Sequence, residues 1–123
     1  MDFSLSNKEK LKSKKQIEQL FSQGKALSKF PIKLIYAPLE DSEKECLIKV
    51  GFSVPKRIVP LAIHRNKCKR LLREAYRSNK NIVLTKINSP HAFMFLYLSK
   101  EKPQFEDLND KMKQLLNKFI GQL

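Results

Sequence analysis

The chain has 123 residues, and its 25 Lys or Arg against 12 Asp or Glu leave a formal net charge of +13. That length suits one domain able to bury a modest core without staples, and a charge so far from zero repels itself and fits a polyanionic partner, nucleic acid before an anionic membrane surface. Two isolated cysteines, Cys46 and Cys68, exclude a disulfide framework, and the absence of a long apolar run excludes a spanning helix.

Met1 to Lys12 read as a flexible basic segment that Phe3 and Leu5 tie to the body. Its opening stretch, MDFSLSNKEKLKSKK, lacks the apolar core of a secretory signal, so a reducing cytosol is expected. Residues 13–123 then read as a single α/β domain. A first helix is predicted from Ser13 to about Gln23: Ser13 with Gln16 fits a capping box, Gly24 fits the left-handed position after the last turn, and Ile17, Leu20 and Phe21 share a face. Lys25 to Lys29 leaves room for one further short strand. Pro31 to Leu39, with Ile32, Ile35 and Tyr36, reads as a strand. The acidic connection EDSEKE, Glu40 to Glu45, separates it from a second strand, about Cys46 to Val54. There Ile48, Val50, Phe52 and Val54 alternate with Leu47, Lys49, Gly51 and Ser53, which predicts a buried Phe52 face and a shallow, polar Gly51 and Ser53 face.

Pro55 and Pro60 bracket the next connection, and a long helix is predicted from about Leu61 to Asn79. At about 100° per residue, Arg65, Lys69, Arg73, Arg77, Asn66 and Arg70 occupy an arc of about 140°, while Leu71, Ala75, Cys68, Leu61 and Leu72 occupy about 100° opposite. Asn81 to Pro90 fits either an extra turn or a loop. His91 to Ser99, HAFMFLYLS, is apolar enough for a strand covered on both faces, and Gln104 to Ile120 reads as a last helix with a stripe of Phe105, Leu108, Met112, Leu115, Leu116 and Phe119, closed by Gly121. The order α-β-β(-β)-α-β-α implies an α/β (α+β) two-layer sandwich, a small sheet with helices packed on it.

Protein-borne catalysis is not indicated. Only three glycines occur, with no phosphate loop, nucleophile elbow, paired carboxylates or metal-ligand spacing. His64 reads as a packing or capping residue near the apolar side of the long helix, His91 as structural, and both cysteines as small buried apolar groups. The segment Val54 to Lys80 is different: it holds nine Lys or Arg and one acid, Glu74. Successive like charges on one stripe repel unless something neutralises them. Arginine's planar fork suits phosphate in particular. Phe21 and Tyr36 beside the shallow Gly51 and Ser53 face supply rings on which unstacked bases can rest, a feature of single-stranded RNA binding.

These residues resemble the protein component of bacterial ribonuclease P. That family carries a V-G-x-S-V strand, a basic turn and an R-N-R-x-K-R-x-x-R-E-x-[FY] helix. Val50, Gly51, Ser53 and Val54 fit the strand; Lys56 and Arg57 fit the turn; Arg65, Asn66, Lys69, Arg70, Arg73, Glu74 and Tyr76 fit the helix. Leu11, Leu20, Phe21 and Gly24 fit the first-helix pattern, and the likeness runs over roughly residues 10 to 120. The sequence departs from the pattern at three places: Lys67 replaces the second arginine of R-N-R, Ile17 replaces the first of two helix aromatics, and Val59 and Pro60 replace a Gly-Asn pair.

The resemblance implies an RNA-binding subunit of a ribonucleoprotein endoribonuclease that removes the 5′ leader from precursor tRNA. The catalytic RNA binds Mg²⁺ and cleaves, and the protein itself holds no tight cofactor and no catalytic group. Lys56, Arg57, Arg65, Asn66, Lys67, Lys69, Arg70, Arg73 and Arg77 are then expected to bind the RNA subunit. Phe21, Ile17, Tyr36, Gly51 and Ser53 are expected to line the cleft for the single-stranded leader. It further implies a cytoplasmic protein, monomeric alone, with a left-handed βαβ crossover against the general rule. The residues by themselves leave two other readings open: a ribosomal or RNA-chaperone-like module with no enzymatic partner, and a DNA-binding protein.

Overall fold

The computed structural model describes residues 9–39 and 47–123. Phe3, Leu5, Cys46 and the acidic Glu40 to Glu45 connection lie outside them. Among these residues eight elements follow in chain order: α1 (Lys14–Gln23), β1 (Lys25–Lys29), β2 (Ile32–Pro38), β3 (Ile48–Ser53), α2 (Ala62–Asn79), α3 (Asn81–Leu84), β4 (His91–Tyr97) and α4 (Phe105–Ile120). The short strand at Lys25 is therefore real, and the stretch after Asn79 is one extra helical turn followed by a loop.

The four strands form one mixed sheet in the order β1-β2-β4-β3. β1 pairs antiparallel with β2, β2 antiparallel with β4, and β3 parallel with β4, so β3-α2-β4 is a parallel crossover between neighbours. β4 lies inside the sheet, which accounts for its apolar composition: Ala92, Phe93, Met94 and Phe95 are all buried.

The register sorts side chains between two cores. On one face Leu27, Ile32, Leu34, Ile48, Val50, Phe93, Phe95 and Tyr97 meet Cys68, Leu72, Ala75 and Tyr76 of α2 and Leu108, Met112, Leu115, Leu116 and Phe119 of α4. The rings of Phe52, Tyr76 and Phe95 pack mutually, with Tyr76 to Phe95 centroids 5.6 Å apart. Asn79 ties the two helices together. Its amide donates to the Ala75 carbonyl at 2.8 Å and to Asn109 Oδ1 at 2.7 Å. On the other face a smaller core of Leu11, Leu20, Ile35, Ala92 and Met94, flanked by Ile17, seats α1.

Several expectations need correcting. Glu9, Lys10 and Leu11, placed by the sequence in the flexible segment, run beside β3. The Leu11 amide donates to the Val50 carbonyl at 2.9 Å, the Val50 amide to the Glu9 carbonyl at 2.7 Å, and the Leu11 side chain is buried. Lys80 Nζ clamps this strip through Glu9 Oε1 at 2.6 Å. Ser13 does cap α1, accepting from the Gln16 amide at 3.3 Å. Gly24, however, is extended (φ −71°, ψ 155°), not left-handed. A Cβ there would lie 2.4 Å from the Leu20 carbonyl oxygen and 2.8 Å from Ile35 Cγ2, so glycine is required by the close approach of chain to chain.

Candidate RNA interface

α2 is two-sided, but its buried arc is turned from the one the apolar residues predict. Cys68, Leu72, Ala75, Tyr76 and Asn79 are buried, while Leu61, placed by sequence in the apolar arc, is 59 % exposed. The large Tyr76 ring dominates the packing and draws the helix round toward Phe52 and Phe95. Leu61 is the N-cap residue, one position before the helix begins. His64 is likewise exposed in the first turn rather than packed, and α2 has no side-chain N-cap.

This rotation grades the cationic residues. Asn66, Lys67 and Arg70 are exposed, and Arg65, Lys69, Arg73 and Arg77 are half-buried. Arg65 is spent in part on the protein itself: Nη1 donates to the Pro60 carbonyl at 2.6 Å and the Val59 carbonyl at 3.1 Å. It pins the turn that begins where the Ile58 and Val59 amides donate to the Pro55 carbonyl. The Val59 and Pro60 pair is thereby held at the helix entrance by the same arginine that the sequence assigns to RNA. The Arg73 guanidinium lies 5.8 Å from the Phe52 ring centroid, a cation–π contact that sets its direction. Arg70 meets Glu74, the only carboxylate of α2, at 4.0 Å with 63 % of its side chain open, a contact worth little in water. Lys56 and Arg57 are exposed in the preceding turn.

The second group of residues is divided by the sheet. Gly51 and Ser53 face the α1 side, in register with Met94 and Leu96. Ile17 is half-buried against that core and Phe21 is 51 % exposed on α1. Gly51 keeps this floor low: a Cβ there would meet Met94 Cε at 2.8 Å. Tyr36 is not with them. It points to the α4 side, its ring 4.9 Å from Phe119 edge to face and its hydroxyl donating to Gln122 Oε1 at 2.5 Å. Strand alternation settles this, because Tyr36 shares parity with Leu34 and Ile32, both in the larger core. The residues that take its place on the α1 face are Lys33 and Lys49, both half-buried, Lys33 in register with Leu96 and Lys49 with Ala92. The same alternation, applied to β2, finds Lys33.

Burial raises the Cys68 thiol above its ordinary range despite nearby Lys67, and burial likewise raises Tyr97. Both are therefore core groups held neutral, as read for Cys68. His91 is also structural: its Nδ1 lies 2.9 Å from the Ser89 carbonyl and its ring meets Phe119. No group of three or more His, Cys, Asp or Glu among the described residues is placed to hold a metal ion. No helix among the described residues is long and apolar enough to cross a membrane.

Comparison with known proteins matches this architecture. The Ribonuclease P family profile matches residues 5–120. The ribonuclease P protein component of Porphyromonas gingivalis is 32 % identical over 122 residues, covering 97 % of this chain and 88 % of that protein. The one from Chlorobaculum tepidum is 31 % identical, covering 89 % and 79 %. Among solved structures, the RNase P protein of Staphylococcus aureus superposes with a TM-score of 0.71 at 14 % identity, over 90 % of this chain and 94 % of that one. That of Thermotoga maritima gives 0.70 at 23 % identity, over 89 % and 96 %, and these two likenesses concern the fold. With a profile spanning nearly its whole length and relatives above 30 % identity, the chain belongs to the Ribonuclease P family.

Proposed function

We propose that this chain is the protein subunit of a ribonuclease P ribonucleoprotein, binding a catalytic RNA and assisting removal of the 5′ leader from precursor tRNA. The single observation that carries the reading is α2 itself: a helix anchored by Tyr76, Leu72 and Cys68 that presents six Lys or Arg and one carboxylate on its remaining circumference. Such a face is under self-repulsion until a polyanion neutralises it. Lys56, Arg57, Asn66, Lys67, Lys69, Arg70, Arg73 and Arg77 form the binding surface for the RNA subunit. Arg65 serves it chiefly by fixing the turn that carries Lys56 and Arg57.

The α1 face takes the single-stranded leader. Phe21 offers an open ring, Gly51 and Ser53 a low floor, Ile17 an apolar flank, and Lys33 and Lys49 cations for the backbone. Contact made with precursor and absent from mature tRNA favours substrate over product, which is what turnover requires. Mg²⁺ is held by the RNA, and the protein contributes no group to the bond-breaking step; its work is to lower the repulsion between two polyanions and to position the leader. The complex works in the cytoplasm.

The test is reconstitution. The RNA that copurifies with the chain is isolated, and 5′ maturation of a precursor tRNA is timed at low Mg²⁺ with and without the protein. Acceleration by the protein is expected. An RNA that cleaves no precursor, or cleaves it equally fast alone, would overturn the proposal in favour of a structural RNA-binding module.

A further inference from the structure

A second cationic element faces α2, and the basic helix motif does not contain it. Between the first two turns of α2 and the connection from β4 to α4 lies an open groove of about 770 Å³. Lys67 and Arg70 stand on one wall, Lys100 and Lys102 on the other, with Glu101 the only carboxylate among the described lining residues. Val59, Ile63, Cys68 and Pro103 supply its apolar lining.

Both walls are held in place by internal bonds. On one side Arg65 grips the Val59 and Pro60 carbonyls. On the other, the Tyr97 hydroxyl donates to the Glu101 carbonyl at 2.7 Å and the Glu101 amide donates to Ser99 Oγ at 3.1 Å. Ser99 is buried, so the connection is anchored on the side that faces the core. The anchored main chain thus brings two pairs of like charges to one groove, an arrangement that favours an anion between them. Ile63, 75 % exposed, is an apolar side chain with no cover at the same place.

We infer that this groove seats an unstacked nucleotide of the RNA subunit, its phosphates between the two cationic walls and its base against Ile63 and Pro103. The inference rests on the RNA-binding reading above and extends it to the loop before α4. The groove lies on the α2 side of the sheet, the side opposite Gly51 and Ser53, so the RNA subunit rather than the leader is its occupant. A phosphate-rich backbone satisfies the charges and a base plane covers Ile63.

The experiment compares the wild-type chain with Lys100→Gln/Lys102→Gln, both exposed positions, for affinity to the RNA subunit over a salt series. The double variant is expected to bind about tenfold more weakly, with a salt slope smaller by about two. Its preference for precursor over mature tRNA is expected to stay at the wild-type ratio. In parallel, Ile63→Cys carrying a thiol-directed photo-cross-linker, in a Cys46→Ser background where the remaining native thiol Cys68 is buried, is expected to cross-link to one short stretch of the RNA subunit. Wild-type affinity and slope in the double variant, beside steep salt dependence in the wild type, would overturn the groove and leave the proposed function standing. Cross-linking only to the leader or to another protein would overturn it as well. Salt-independent binding by the wild type itself would instead remove the RNA-binding reading on which the groove depends.

Discussion

α2 and α4 lie side by side on the same face of the sheet, of similar length and each with one buried stripe, yet their outer surfaces obey different rules. α4 carries Glu106, Asp107 and Asp110 with Lys111, Lys113 and Lys118, the acids toward its N-terminus and Lys118 in its last turn. That is a surface made for water and for its own helix dipole. α2 carries six cations and one acid, with no acid in its first turn. Since both helices are docked by the same kind of apolar packing, the difference is not a matter of stability. A surface that disregards the rules its neighbour follows is matched to something outside the chain.

The largest expected effect tests that contrast directly. Lys67→Glu/Arg70→Glu on α2 and Lys113→Glu/Lys118→Glu on α4 change the net charge equally, and all four side chains are exposed. The α2 pair should lower affinity for the RNA subunit by about 100-fold, and the α4 pair by about threefold or less, measured by filter binding at fixed salt. Equal losses would mean that only overall charge matters.

Phe21→Ala comes next, on the opposite face. Loss of one stacking ring should cost about 1–3 kcal/mol of precursor affinity, roughly five- to 150-fold, with mature tRNA unaffected. Tyr36→Ala is the sharper half of this test. The tyrosine sits against Phe119, so it should lower thermal stability and leave the precursor-to-mature ratio unchanged. Loss of discrimination in Tyr36→Ala would return it to the leader surface.

Arg65→Ala should act on both readouts: weaker RNA binding and a lower melting temperature. The Val59 and Pro60 carbonyls lose a charged donor, with about 1–3 kcal/mol at stake before solvent replaces it. A change in binding alone would make Arg65 a free RNA ligand. The smallest effect is alkaline. Cys68 and Tyr97 have raised pKa values in the fold, so the folded chain holds protons that the unfolded chain releases. Their stabilisation is complete below the thiol's ordinary range and falls as pH rises past about 9. Thermal unfolding followed from pH 7 to 10 should show that decline, reduced in Cys68→Ala. A flat profile would mean that neither group is held neutral by burial.

Much of this was legible in the order of residues. The β-branched and aromatic run of β2, the alternation in β3, the unbroken apolar run of β4 and the three amphipathic helices α1, α2 and α4 place six of the elements, because each is a local pattern long enough to read. α3 is a single turn and carries no such period. The second core was only half legible: Leu11 lies next to Lys10 and Lys12 in a basic stretch, and only pairing with β3 reveals why it is apolar. The sequence marks Gly24 as a helix end but not the reason for it, since one of the two atoms that crowd it, Ile35 Cγ2, belongs to a strand that only the fold brings near. Residue type alone puts Tyr36 beside Phe21, and its strand parity speaks against that only once β2 is joined to the sheet.

The amino-acid order by itself determined that a docked helix carries an excess of positive charge, because charge and helical period are both local properties. Which of those cations face outward was decided by the tertiary structure. Tyr76 must pack against Phe52 and Phe95, and that contact turns α2 until Arg70 and Lys67 stand clear while Arg65 bends to the Val59 and Pro60 carbonyls. Rotation about a helix axis is set by the partner beneath it, and no period within the helix encodes the partner.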